Sequence, residues 1–183
     1  MSSRSCRVDD GCRGDVPPSA PIPLCERHLV VAAEWAASEY GTVDVLPGPC
    51  AVCGSRTGVR HPSGWVCAVC EWRFGDIVDG DLPPPRVDVV YYLGYADRIK
   101  IGTTANPRQR FAAIRHDDLL ALERGDRSVE RHRHAQFADE RFGKTEWFAV
   151  SPALTAHVEA VRGGVEPWTR HARWMSEAFA LRG

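Results

Sequence analysis

Apolar and polar positions alternate most clearly between Val89 and Gly102, in the run V-V-Y-Y-L-G-Y-A-D-R-I-K-I-G. A two-residue turn at Ala96-Asp97 pairs Tyr95 with Arg98, and therefore Leu93 with Lys100, Tyr92 with Ile101 and Tyr91 with Gly102. Side chains alternate along a strand, so this register sets Tyr91, Leu93 and Lys100 on one face and Val90, Tyr92, Ile99 and Ile101 on the other. The second face reads as core, and the first offers a phenol beside an ammonium. Asn106-Pro107 then starts a helix, because Asn caps free backbone N–H groups and Pro is best tolerated at the first helical position. Arg110 falls near that start, on a helix packed by Phe111 and Ile114.

The same patterning predicts strands over 89–94, 98–103, 119–123 and 146–150, and helices over 107–115, 128–141 and 152–161. Gly163-Gly164 stops the last of these, and Trp168 to Leu181 reads as an amphipathic helix with Trp174, Met175 and Phe179 inward. Upstream, a helix is expected from Leu29 to Tyr40 and a strand at Gly64-Trp65-Val66. The fold class is α+β: a small antiparallel sheet flanked by helices, with two small N-terminal zinc-binding modules. Residues 1–45 form the first module with its following helix, 46–80 the second, 81–88 a stiff Pro-rich linker, 89–162 the sheet domain and 163–183 the C-terminal helix.

All seven cysteines lie before Glu71. Cys50-x2-Cys53 and Cys67-x2-Cys70, thirteen residues apart, have the spacing of a four-thiolate zinc ribbon in which two knuckles clamp one ion. Cys6, Cys12, Cys25 and His28 supply a three-Cys, one-His set for a second Zn2+, with His61 as a competing fourth ligand. No signal peptide is read, so the paired thiols suit zinc in a reducing, cytoplasmic setting better than disulfides. Metal of this kind replaces core that so short a segment lacks.

Composition narrows the function only slightly. With 183 residues and 44% hydrophobic content the chain is expected to be soluble, and no apolar run is long enough to span a membrane. A net charge of −1 gives no electrostatic case for nucleic acid by itself. Residues 1–85 carry seven Lys+Arg against eleven Asp+Glu, whereas 86–150 carry twelve against ten. The acidic half is therefore expected to be structural or to meet a protein partner, and not to grip phosphates.

Val89-Val90-Tyr91, Lys100-Ile101-Gly102 and Arg110, followed by Glu130, His134, Phe137, Arg141 and Glu146-Trp147-Phe148, form an ordered set. The set resembles the GIY-YIG nuclease superfamily, in the branch typical of phages and mobile elements where K-I-G replaces Y-I-G. The resemblance implies that Tyr91 activates the attacking water and that Lys100 takes the second tyrosine's place. It further implies that Arg110 neutralises the scissile phosphate, and that Glu130 holds Mg2+ or Mn2+ with His134 and Glu146 nearby. Departures are the V-V-Y first motif, the short spacing between motifs, and Ile114 where a helper His or Tyr often lies.

The residue types suit the chemistry without the family. Phosphodiester hydrolysis needs a nucleophile, a proton acceptor and positive charge where the transition state gains negative charge. Tyr91 or His134 can accept the proton, and Arg110 and Lys100 supply charge. One carboxylate suffices for a hard cation that keeps its waters. The expectation is a metal-dependent DNA endonuclease. The alternative classes are a zinc-containing nucleic-acid-binding or adaptor protein with a degenerate nuclease domain, and a protein-interaction module.

Overall fold

The computed structural model describes residues 4–8 and 11–182 and is an α+β structure with two antiparallel sheets, five helices and two Cys/His clusters. Met1 to Ser3 and Gly183 lie outside the described residues, as do Asp9 and Asp10. The chain opens on the loops that carry Cys6 and Cys12, then enters helix α1 (Glu26–Tyr40) and a three-stranded sheet of β1 (Thr42–Val45), β2 (Thr57–His61) and β3 (Gly64–Cys67). Helix α1 begins at Glu26 with Cys25 as its N-cap, so His28 sits on the first turn and does not precede the helix as the sequence suggested. Cys25 and His28, three residues apart, share a face at that turn. Strands β1 and β2 were not read from sequence; T-V-D-V and T-G-V-R-H are too short and too polar to stand out.

The second sheet has the order β6-β4-β5-β7, all antiparallel, from β4 (Val89–Tyr95), β5 (Arg98–Thr104), β6 (Asp118–Arg124) and β7 (Trp147–Ala149). The β4–β5 register is the one the turn at Ala96-Asp97 dictates, with Tyr91 opposite Gly102 and Leu93 opposite Lys100. Ala96 holds a left-handed φ of 51°, and its N–H donates to Asp117 Oδ2 at 2.8 Å, which fixes the turn. The β4–β6 ladder slips by one residue between Tyr92 and Leu93, a bulge that leaves Leu120 without an opposite number.

Helices cover both faces. Val90, Tyr92, Ile99 and Ile101 meet Phe137, Phe148, Leu154 and Val158 beneath α3 (Arg127–Gln136) and α4 (Pro152–Arg162). Val89, Tyr91, Leu93 and Leu122 meet Phe111 of α2 (Pro107–Ala112), with Trp168, Trp174 and Met175 of α5 (Pro167–Ala180) packed against them. The face expected to present Tyr91 to a ligand is thus a second core, and Tyr91 and Leu93 are fully buried. Expected helices also end early. α2 stops at Ala112, and α3 stops at Gln136 before a 3-10 turn at Ala138–Glu140.

Helix α5 joins the two halves. Trp174 and Met175 face the sheet as expected, but Phe179 turns the other way, packing with Ala172 against Leu46, Cys50, Cys67, Cys70 and Trp72. The connecting segment forms neither helix nor strand over 83–88, with Pro85 and Val87 buried and the Pro83 carbonyl accepting from an Arg182 N–H at 2.6 Å. No helix among the described residues is long and apolar enough to cross a membrane.

Candidate functional site

The candidate site lies at the C-terminal end of β5, where the strand runs past its ladder with β7 and Gly102 lets the two faces meet. The Tyr91 ring lies flat across Gly102: a Cβ added there would sit 2.4 Å from the phenol oxygen. Only glycine leaves that path open. The hydroxyl so placed accepts from Arg110 Nε at 3.4 Å, and the ring packs edge-on against Phe111 at 5.1 Å. Asn106 caps α2 by accepting from the Gln109 N–H, which sets the short helix that delivers Arg110.

Carboxylates arrive from the other side. Thr103 Oγ1 donates to Glu130 Oε2, and Glu130 Oε1 is 3.8 Å from His134 Nε2, one helical turn along α3. The same Nε2 is 3.0 Å from the Ile101 carbonyl, a contact it makes as a donor, and the ring packs 5.2 Å from Phe148. Lys100 Nζ donates to Glu146 Oε2 at 2.6 Å and lies 5.4 Å from the centre of the Trp147 ring. The Glu146 carbonyl in turn accepts from the Ile101 N–H at 3.0 Å, extending the β5–β7 pairing toward the site. All six residues read from the sequence, Tyr91, Lys100, Arg110, Glu130, His134 and Glu146, are therefore brought to one edge.

The electrostatics tie them together. Burial pushes the Tyr91 phenol above its usual range, Arg110 draws it partly back, and the charges of Glu146 and Glu130 add to the rise. Tyr91 is thus a neutral phenol near pH 7, a donor whose oxygen already accepts from Arg110. Burial also pushes the Glu146 carboxyl up, but Lys100 outweighs it, with help from Arg110 and His134, and the group is held below the usual carboxylate range. His134 uses Nε2 on a backbone carbonyl and so anchors α3 to β5. Of the two residues read from sequence as proton acceptors, His134 donates to the Ile101 carbonyl and the Tyr91 oxygen accepts from Arg110. Thr103 was missed by the sequence reading, as was the crossing of Tyr91 over Gly102. The glycine of K-I-G was the signal for the second.

Residues 88–169 match the family model for the T5orf172 domain. The T5orf172 match spans the four-stranded sheet, α2 to α4 and the start of α5, and includes every residue of the edge site. No curated protein and no solved structure matches the chain. Zinc-type clusters lie wholly outside the matched stretch.

Those clusters are well formed. The ligand atoms of Cys6, Cys12, Cys25 and His28 lie within 4.8 Å of one another, as do those of Cys50, Cys53, Cys67 and Cys70. Cys6 Sγ is 3.2 Å from His28 Nδ1, Cys12 Sγ is 3.7 Å from Cys25 Sγ, and Cys50–Cys70 and Cys53–Cys67 are both 3.5 Å. A Zn–S bond of about 2.3 Å places tetrahedral sulfurs about 3.8 Å apart, so both sets fit one Zn2+ each. His61 is not in either cluster. Burial pushes the Cys53 thiol up to about 11, and Cys70 in the same direction. A divalent cation among the four sulfurs would reverse that penalty at Cys53 and Cys70 and favour their thiolates.

Proposed function

We propose that the T5orf172-matching domain is a nuclease-type domain that hydrolyses DNA phosphodiesters with a hard divalent cation, as the GIY-YIG resemblance implies. The observation that carries this reading is the meeting at Gly102 of Tyr91 and Arg110 from one face with Glu130 from the other, beside the Lys100–Glu146 pair. Arg110 is exposed and free to reach a phosphate while it holds Tyr91. Its guanidinium supplies charge where the pentavalent phosphorus gains it, and Tyr91, buried beneath it, orients that guanidinium through its phenol oxygen. Glu130 fits Mg2+ or Mn2+, which bind through one carboxylate and keep several waters; the cation would supply Lewis acidity there. Lys100 holds Glu146 in reach of Arg110, and Thr103 and His134 hold α3 so that Glu130 faces the edge.

A second reading is favoured by the burial of Tyr91 and by the engagement of Lys100 with Glu146: the domain grips nucleic acid without cutting it. Nicking of supercoiled, linear, branched and single-stranded DNA with Mg2+ or Mn2+ separates the two. The nuclease reading expects cleavage that falls at least about a hundredfold in Arg110→Ala and Glu130→Ala. Cleavage of no substrate, or equal cleavage by both variants, sinks it, and retained DNA binding without cleavage supports the second.

A further inference from the structure

The two knuckles of the Cys50–Cys70 cluster are near copies. Each reads Cys-Ala-Val-Cys, and in each the next residue turns its N–H back to the first cysteine's carbonyl at 2.9 Å. That residue must take a left-handed backbone, with φ 74° at Gly54 and φ 62° at Glu71. Glycine is suited to the task, and nothing inside the second knuckle calls for glutamate. The Glu71 side chain instead leaves the knuckle and meets α5, with Oε1 3.1 Å from Arg173 Nε. The same Nε reaches the Val69 carbonyl, between the two cysteines, at 3.4 Å. Around this joint Trp72 packs edge-on to Phe179 at 6.4 Å, and Ser176 is buried. Across α5, Trp168 is 5.7 Å from Phe111, the neighbour of Arg110 that also packs on Tyr91.

We propose that Glu71 is a positioning residue which, paired with Arg173, couples the seating of α5 to the metal-held second knuckle. The ribbon and the wall behind Tyr91 and Arg110 then order together. The pair is well exposed, so it contributes direction more than energy. What it directs is α5, the element that both modules share. The coupling does not depend on the domain's activity, and its test reads none.

Hydrogen exchange followed by mass spectrometry on the full zinc-loaded chain tests it, with α4 as the internal reference. Glu71→Arg and Arg173→Glu should each speed exchange of residues 167–180 about threefold and leave 152–162 unchanged, and the double reversal should return α5 toward the parent. Glu71→Gly, which keeps the knuckle's backbone unstrained, should speed α5 as well. Stripping the parent of zinc with a chelator should raise α5 exchange at least as far, because coupling is reciprocal. The proposal is overturned by unchanged α5 exchange in Glu71→Gly, by a double reversal no closer to the parent than either single variant, or by equal α5 exchange with and without zinc.

Discussion

Tyr91 and Tyr92 are neighbours in β4, both fully buried, yet their hydroxyls meet opposite company. Tyr91 crosses Gly102 toward a guanidinium at the edge of the sheet. Tyr92 points into the other core, where its oxygen is 2.9 Å from both Glu123 Oε2 and His157 Nε2, and Arg133 Nε donates to the same Glu123 oxygen at 3.0 Å. A phenol has one proton. Giving it to the carboxylate requires His157 to donate through Nε2, so the Tyr92 oxygen both donates and accepts and the network around it is closed. The Tyr91 hydroxyl is as deeply buried, but its one partner, the Arg110 guanidinium, is exposed and carries that pair out to the surface. A closed polar network fixes a core, whereas an open one is available to a ligand.

The strongest way to break this contrast is Gly102→Ala. The new methyl would fall 2.4 Å from the Tyr91 hydroxyl and 2.6 Å from the ring carbon that bears it. Tyr91 or β5 must shift, an overpacking that costs about 1–3 kcal/mol in urea unfolding. The shift should also remove most DNA cleavage, if that activity is present, while Tyr92, opposite the ordinary side chain of Ile101, keeps its partners. An unchanged midpoint together with unchanged chemistry would mean that the ring does not need the glycine.

Removing each hydroxyl in turn sharpens the contrast. Tyr92→Phe leaves the His157 Nε2–H without its acceptor and takes one donor from Glu123 Oε2, which keeps Arg133, and a partly buried donor left unpaired costs about 1–3 kcal/mol. Tyr91→Phe strands only one N–H of an exposed guanidinium that water can satisfy, so its cost should stay near or below about 1 kcal/mol. Cleavage should follow the reverse order, falling further in Tyr91→Phe. Paired denaturation curves with equal losses would refute the distinction between closed and open networks.

Much of this was legible before the structure. The hairpin register followed from one turn, and the Cys50–Cys70 cluster followed from the spacing of its two C-x2-C pairs, whereas the Cys6–His28 cluster rested on ligand number, with His61 left as a competitor. The six edge residues were identified through the family pattern, which fixes order in the chain and not orientation. Burial of the Tyr91 face was not visible, since it depends on α5 folding back over the sheet from a distant part of the sequence. Helix α5 was read with a single inward face. Trp174 and Phe179 in fact serve different cores, and an amphipathic pattern cannot say how many partners divide it. Thr103 gave no signal, because a threonine on a strand is ordinary until a carboxylate from another helix is placed beside it.

The smallest effect should come from acid. Burial holds His157 below the usual histidine range, and the positive charge of Arg133 pushes it the same way, with Glu123 opposing. His171, half-buried on α5 with Arg108 nearby, is shifted in the same direction by its desolvation. A depressed folded pKa means that the unfolded chain takes up protons first. Stability from these two groups is therefore complete above about pH 6.5, the unfolded value, and falls as the pH drops below it. The lowered carboxylates, Glu123 and Glu146 among them, lose their contribution only further down, below the ordinary Glu range. Urea unfolding at pH 7.5, 6.5 and 5.5 should thus show a modest decline already at the lowest of these. His157→Gln should flatten that decline, since a glutamine amide can still donate toward Tyr92 without titrating. A decline of unchanged size in His157→Gln would assign the acid sensitivity to His171 or to the metal clusters, and would leave the Tyr92 network without a titrating member in that range.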